Sequence, residues 1–289
     1  MRQRVGLFLN TQSAEAIRWA EHGAQRLLER GFEVCLPAEF APYMGRQLLS
    51  RLLVHPIAHV GDIADLILVF GGDGTMLAAA QQFLQSGIPL MGINVGKLGF
   101  LAEFGVHELE GALDALLHGT YRVVDRTVLE AEVRQKRFYA LNEVVIEKHA
   151  SPRMVRLRAH VNEHHIADYR ADGLIVTTPT GSTAYSLSCG GPIIAPNARV
   201  LCLTPICPHM LTLRALVIPD DCRIRIEVLS DDGAVLVPDG QRQEPLAPGD
   251  SVTVHLAPYV LKLVKHAESS YFDLLRRKLL WAADAVPSP

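Results

Sequence analysis

The segment that most constrains this chain is Asp65-Leu66-Ile67-Leu68-Val69-Phe70, followed at once by Gly71-Gly72-Asp73-Gly74-Thr75-Met76-Leu77. An unbroken run of Ile, Leu, Val and Phe suits a parallel strand covered on both faces. The three glycines at 71, 72 and 74 permit positive φ and close approach of a ligand, and between them they present one carboxylate, Asp73. Open α/β sheets bind ligands here, outside the carboxyl ends of their strands. The turn by itself has two readings: a ligand loop, or an ordinary strand-to-helix turn in which Asp73 caps the helix.

The flanking pattern extends the strand into a fold. Val5 to Leu9 reads as a strand, and Ala14, Ile17, Ala20, Ala24, Leu27 and Leu28 mark one face of a helix that Gly31 terminates. A strand at Phe32 to Leu36 follows, then a short helix through Leu48, Leu49, Leu52 and Leu53. A helix after Gly74, a strand through Pro89 to Asn94 and a helix from His107 to Leu117 complete a βαβ alternation, the signature of a parallel, helix-flanked sheet.

The texture changes near Tyr121. Strand-like runs then dominate: Thr127–Val133, Phe138–Glu147, Met154–Val161, Gly173–Thr178, Val200–Thr204, Cys222–Leu229, Ala234–Val237, Ser251–Leu256 and Val260–Val264. Turn signals such as Asn162-Glu163, Asp239-Gly240 and Pro248-Gly249-Asp250 separate several of them. The expected architecture is an α/β Rossmann-like nucleotide-binding domain over 1–120, then a mainly antiparallel β-sandwich domain over 121–266. The segment 267–289, with a helix at Tyr271–Trp281, is expected to pack back on the first domain. A chain of 289 residues suits two such domains and can bury about three quarters of its unfolded surface.

Charge excludes some functions. With 28 basic against 31 acidic residues and no basic block, the chain lacks the electrostatic footprint of a nucleic-acid or anionic-membrane binder. The apolar runs are strand-length, short of the ~20 residues of a spanning helix, and Met1-Arg2-Gln3-Arg4 leads into a strand rather than a secretory apolar region. A cytoplasmic enzyme of small-molecule chemistry is expected. The 5 cysteines are odd in number and scattered, which reads as free thiols.

Three further segments carry chemistry. Arg170-Ala171-Asp172-Gly173 opens an apolar strand that runs into Thr177-Thr178-Pro179-Thr180-Gly181-Ser182-Thr183-Ala184-Tyr185-Ser186-Leu187-Ser188, a turn crowded with hydroxyls. Backbone N–H groups and hydroxyls there can hold phosphate oxygens, and Tyr185 offers a ring face or an OH. Asn142-Glu143 heads a β-branched strand; an Asn amide can meet a donor and an acceptor of an adenine edge, and a carboxylate can take ribose hydroxyls. Asn94-Val95-Gly96-Lys97-Leu98-Gly99-Phe100-Leu101 is a second glycine loop, for which turn chemistry alone accounts.

Taken together, Gly-Gly-Asp-Gly-Thr, Asn-x-Gly-x-Leu-Gly-Phe, Asn-Glu-Val-Val and, above all, Asp-Gly-Leu-Ile-Val-Thr-Thr-Pro-Thr-Gly-Ser-Thr-Ala-Tyr-Ser-Leu-Ser resemble the NAD kinase family over nearly the whole chain. That family phosphorylates the 2′-hydroxyl of the adenosine ribose of NAD. The resemblance implies Asp73 as proton acceptor for that hydroxyl, with Gly74 beside it. It implies NAD contacts at Phe100, Asn142, Glu143, Arg153, Arg170, Asp172, Thr183, Ala184, Tyr185, Ser186, Leu187, Ser188 and Gln241. The turn Gly71, Gly72, Gly74 and Thr75 would hold the ATP phosphates. Family members commonly assemble as dimers or tetramers, so a homodimer or homotetramer is expected. Arg214-Ala215-Leu216-Val217 and Pro208-His209-Met210 depart from the usual Arg-Pro-Leu-Val and Pro-His-Thr, outside the site motifs.

No Gly-x-x-x-x-Gly-Lys-Ser/Thr occurs, so a divalent cation, expected to be magnesium, must carry much of the charge on ATP, bound through phosphate and water without a protein cage. Rival readings remain. A lipid or sugar kinase would share Asp73 and its glycines but has no need of Thr180 to Ser188, and a dinucleotide sensor would bind NAD without turnover. A dehydrogenase lacks support, since Asn10-Thr11-Gln12-Ser13 after the first strand is no dinucleotide fingerprint. His160, His164 and His165 read as a hairpin surface rather than a metal cluster.

Overall fold

The computed structural model describes residues 3–149, 152–241 and 244–281. The chain divides into two compact units, Met1–Asp125 with Leu261–Pro289, and Arg126–Val260.

The first unit alternates strands and helices: β1 (Arg4–Leu9), α1 (Ala14–Glu29), β2 (Glu33–Pro37), α2 (Arg46–Leu49), β3 (Leu53–His55), α3 (Ile57–Ile63), β4 (Leu66–Phe70), α4 (Asp73–Phe83), β5 (Leu90–Asn94), β6 (Phe104–Gly105) and α5 (Leu109–His118). The strands pair in parallel in the order β3-β2-β1-β4-β5, with β1 and β4 in register from Val5↔Leu66 to Leu9↔Phe70. Every residue of β4 and β5 is buried, as helix-covered strands require. Ser13 starts α1 by accepting from the Ala16 N–H at 3.2 Å, and Ala16, Ala20, Gly23, Ala24 and Leu27 face the sheet. Gly23 lets α1 come down on Phe70, because a Cβ there would stand 2.5 Å from the ring. The strand order reverses between β1 and β4, so their connections leave in opposite directions and open a crevice at their carboxyl ends.

The second unit takes over within β7 (Tyr121–Val133) and continues through β8 (Lys136–Ala140), β9 (Glu143–Glu147), β10 (Val155–Val161), β11 (His164–Ala171), β12 (Gly173–Thr177), α6 (Tyr185–Ser188), β13 (Val200–Ile206), β14 (Leu216–Pro219), β15 (Ile224–Val228), β16 (Ala234–Pro238), β17 (Glu244–Leu246) and β18 (Ser251–His266). Its strand pairs are antiparallel. One sheet runs β14-β13-β12-β9-β16-β17, and β11, β10, β15 and the first part of β18 form another. Alternate residues of both inner faces, among them Val144, Ile146, Leu157, Leu174, Val176 and Ile226, share one apolar core, which makes a sandwich.

The structure corrects the strand reading in several places: the short strands β3, β6, β14 and β17 were not expected, and Leu53, read as part of a short helix, opens β3 because that helix ends at Leu49. The single run expected over Phe138–Glu147 is two strands broken at Leu141-Asn142, where the backbone is tied to a carboxylate described below. The two runs at Ser251–Leu256 and Val260–Val264 are one strand, β18: Pro258 falls between the residues paired to β15 and Leu263, which pairs with Leu90 of β5, so its missing N–H removes no bond from those ladders. β11 was not expected, because His164–Ala171 is polar and its burial sparse. The hairpin at Asn162-Glu163 forms as read, with Val161 opposite His164 and Asn162 at φ +53°.

The last helix, α7 (Tyr271–Leu279), belongs to the first unit, with Leu274 and Leu275 buried and Ser270 capping it. Among the described residues no helix is long and apolar enough to cross a membrane.

Candidate active site

In the first unit the crevice at the ends of β1 and β4 is a depression of about 520 Å³, lined by Asn10 and Thr11 after β1 and by Gly72, Gly74 and Thr75 after β4. None of Gly71, Gly72 and Gly74 has positive φ, so the left-handed freedom that glycine permits is not used here. Their value is steric. A Cβ on Gly71 would stand 2.2 Å from the Thr75 hydroxyl, whereas Gly72 and Gly74 have nothing within 4 Å of theirs and leave the turn open. The Gly72 carbonyl accepts from Thr75 and Met76, starting α4, while the N–H groups of Gly72, Asp73 and Gly74 have no partner among the described residues. Such amides at a helix N-terminus are donors for an anion.

Asp73 is the first residue of α4, and its carboxylate is held from the loop that follows β5. Oδ2 accepts from the Phe100 N–H at 2.8 Å; Oδ1 accepts from Leu101 at 3.0 Å and Ala102 at 3.3 Å. With about four acceptor positions on a carboxylate, Oδ2 keeps room for another donor. The sequence assigned no need for Gly99 beyond turn chemistry, and the structure supplies one. A Cβ there would lie 1.9 Å from Oδ1, so this position must be bare for the acid to seat.

In the second unit the two segments singled out by sequence meet. The Asn142 carbonyl accepts from the Thr178 N–H and the Thr177 hydroxyl, both at 2.9 Å, and the Leu141 carbonyl from the Thr178 hydroxyl at 2.6 Å. Gly181 packs against the Asn142 carbonyl, where a Cβ would stand 2.2 Å away. Ser182 bonds Pro179 and Ile194, and the buried Ser186 hydroxyl lies 2.8 Å from that of Thr204. Much of the hydroxyl crowding therefore builds the turn, a correction to its reading as a set of phosphate ligands. Tyr185 and Ser188 are exposed, and Thr183, Ala184 and Leu187 half-buried.

Sequence reasoning missed Asp239. This residue, at φ +48°, accepts the N–H groups of Leu141 and Asn142 at 2.8 Å and of Glu143 at 3.2 Å, and its own N–H donates to the Glu143 carbonyl. The only signal was Asp-Gly after a strand, which reads as a turn. Burial first, and then the Asp239 charge next to it, push the Glu143 carboxyl up to about 8, against the lowering effect of a hydrogen bond from the Tyr185 backbone. Its Oε2 is buried without a hydrogen-bond partner among the described residues, a receptor atom for a donor that a ligand would bring. Asp172 pairs with Lys148 at 2.8 Å. Arg153 and Arg170 are exposed, and Gln241 is exposed in the turn that Asp239 opens.

Residues 5–121 match the ATP-NAD kinase N-terminal domain, and residues 141–266 the ATP-NAD kinase C-terminal domain. The chain belongs to the ATP-NAD kinase family. An NAD kinase of Heliobacterium modesticaldum is 41% identical over 285 residues, 95% of this chain and 98% of that protein. One of Syntrophotalea carbinolica is 40% identical over 96% and 99%. Two solved structures share the fold: yeast NADH kinase complexed with NADH, at TM-score 0.89 and 24% identity over 100% of this chain and 90% of that one, and an Archaeoglobus fulgidus NAD kinase in complex with ATP, at 0.75 and 23% over 95% and 97%. The reaction of the ATP-NAD kinase family is phosphorylation of NAD to NADP, and the chain is a phosphotransferase of that kind.

Proposed function

We propose that Asp73 is the proton acceptor for the adenosine ribose 2′-hydroxyl of NAD as that oxygen attacks the γ-phosphate of ATP. The observation that carries this is the clamp of three consecutive N–H groups on Asp73, which fixes the acid and leaves Oδ2 an open acceptor position. Phosphoryl transfer passes through a loose transition state and asks a protein for positioning and charge stabilisation. The amides of Gly72, Asp73 and Gly74, with Thr75, supply such donors for the triphosphate, and Gly71 keeps Thr75 close. NAD contacts are assigned to Gly74, Phe100, Asn142, Glu143, Arg153, Arg170, Asp172, Thr183, Ala184, Tyr185, Ser186, Leu187, Ser188 and Gln241. Within that set the buried Glu143 carboxyl suits a ribose hydroxyl, which would satisfy its orphan Oε2.

Magnesium is the proposed ion. The β4–α4 turn offers hydroxyl, amide and backbone groups but no cluster of carboxylates, which fits an ion held chiefly by phosphate and water, with Thr75 and Asn10 nearby. When bound it neutralises charge on the phosphates. Among the described residues Glu130, Glu132 and His255 bring ligand atoms within 4.8 Å, but Arg137, 3.4 and 3.1 Å from the two carboxylates, and Arg223, 3.7 Å from Glu132, already balance them. The assembly is proposed as a homodimer or homotetramer in the cytoplasm. The test incubates the purified chain with ATP, magnesium and NAD and couples any product to an NADP-specific dehydrogenase. NADP formation is expected; its absence overturns the proposal.

A further inference from the structure

Each N–H that clamps Asp73 belongs to a peptide unit with a carbonyl at its other end, and in a trans peptide the two point in opposite directions. The Phe100 carbonyl shares its unit with the Leu101 N–H, and the Leu101 carbonyl with the Ala102 N–H. Both carbonyls accept from one side chain: Lys265 Nζ donates to Phe100 O at 3.2 Å and to Leu101 O at 3.4 Å. It also pairs with Glu103, at 3.0 Å, and the two side chains are 5% and 7% exposed. Two successive peptide units therefore lie between an ammonium at their carbonyl ends and the Asp73 carboxylate at their N–H ends.

We propose that Lys265 is a positioning residue for Asp73, fixing and polarising the two peptide units whose N–H groups aim the acid. An ammonium can only donate, and here it meets two carbonyl oxygens and a carboxylate. Burying a charge costs several kcal/mol unless it is paired and bonded, and an apolar side chain of similar length would fill the same space without that cost. The charge sits where it orders the loop against the reacting group. Other restraints agree. Lys278 of α7 bonds the Leu98 carbonyl and stands 5.5 Å over the Phe100 ring, and Asn94 Nδ2 donates to Lys97 O and Ala102 O at 3.0 and 3.4 Å. Lys265 and Lys278 both come from Leu261–Pro289, which gives the return of the C-terminal segment to the first unit a catalytic purpose.

The inference rests on Asp73 being the proton acceptor, and its test separates the two claims. Lys265→Met should lower kcat for NAD phosphorylation about 10- to 100-fold, the cost of displacing a reacting group by an ångström. The KM for NAD should change less than about threefold. Because Lys265→Met leaves Glu103 buried and unpaired, a double variant with Glu103→Met is measured beside it. The double variant should regain thermal stability and keep the low kcat, and it carries the test if the single variant does not fold. Wild-type kcat in either variant, recovery of kcat in the double variant, or a rise in KM with kcat unchanged would overturn the role of Lys265. Asp73→Asn is the reference: if it too retains turnover, the reading of Asp73 fails; if it is inactive while Lys265→Met is not, only this inference fails.

Discussion

Asp73 and Asp239 perform the same local feat in different units. Each carboxylate accepts three consecutive backbone N–H groups, two on one oxygen and one on the other, from Phe100–Ala102 in the first unit and Leu141–Glu143 in the second. What separates them is exposure. Asp239 is 6% exposed and closed by a return bond from its own N–H to Glu143 O, so it is a clasp that sets the entry of β9. Asp73 is half-buried beside open glycines, so the same clamp leaves it a free acceptor position at the surface. A clamped acid is a structural device when sealed and a chemical one when a substrate can reach it.

Substitutions can break that contrast. The largest effect is expected for Asp73→Asn, which removes the proton acceptor: kcat should fall about 10²- to 10⁴-fold, with a smaller loss of stability than at Asp239 because Asp73 is only half-buried. Asp239→Asn should behave in the opposite way. An amide offers one acceptor oxygen to three donors, so about 2–4 kcal/mol of stability should be lost in urea titration; an unchanged midpoint would end its description as a clasp. Gly99→Ala drives a Cβ into the Asp73 carboxylate and should lower kcat roughly 10- to 100-fold without matching loss of stability.

The smallest effect concerns Glu143. Its folded carboxyl, near 8, lies above the ordinary 4.5, so its favourable contribution is complete below about 4.5 and is lost as pH rises through about 8. Glu143→Gln removes the group that must charge in a buried place. The variant should match the parent at pH 5 and exceed it at pH 9 by on the order of 1–3 kcal/mol, read from urea midpoints at both values. A parent that is equally stable at both, relative to the variant, would contradict the burial of this carboxyl.

The parts legible in the sequence were those fixed by near neighbours. The apolar run into Gly71-Gly72-Asp73-Gly74 announced β4 and its turn, because burial on both faces leaves no alternation to misread, and Gly31 marked the end of α1. The sandwich was legible from alternation and turns. Partners distant in sequence were not. Nothing around Gly99 says that it faces a carboxylate on another loop, and nothing in Leu141-Asn142 says that a residue nearly a hundred positions later breaks the strand there. The hydroxyls of Thr177, Thr178, Ser182 and Ser186 looked like ligand groups because sequence shows a donor without showing the carbonyl it already serves.

The central claim is that Asp73 receives the ribose proton, and the direct measurement is a crystal structure with NAD bound. The account predicts Asp73 Oδ2 within about 2.6–3.2 Å of the adenosine 2′-hydroxyl, with the Phe100, Leu101 and Ala102 N–H bonds intact. An NAD bound with that hydroxyl directed away from Asp73 would contradict it.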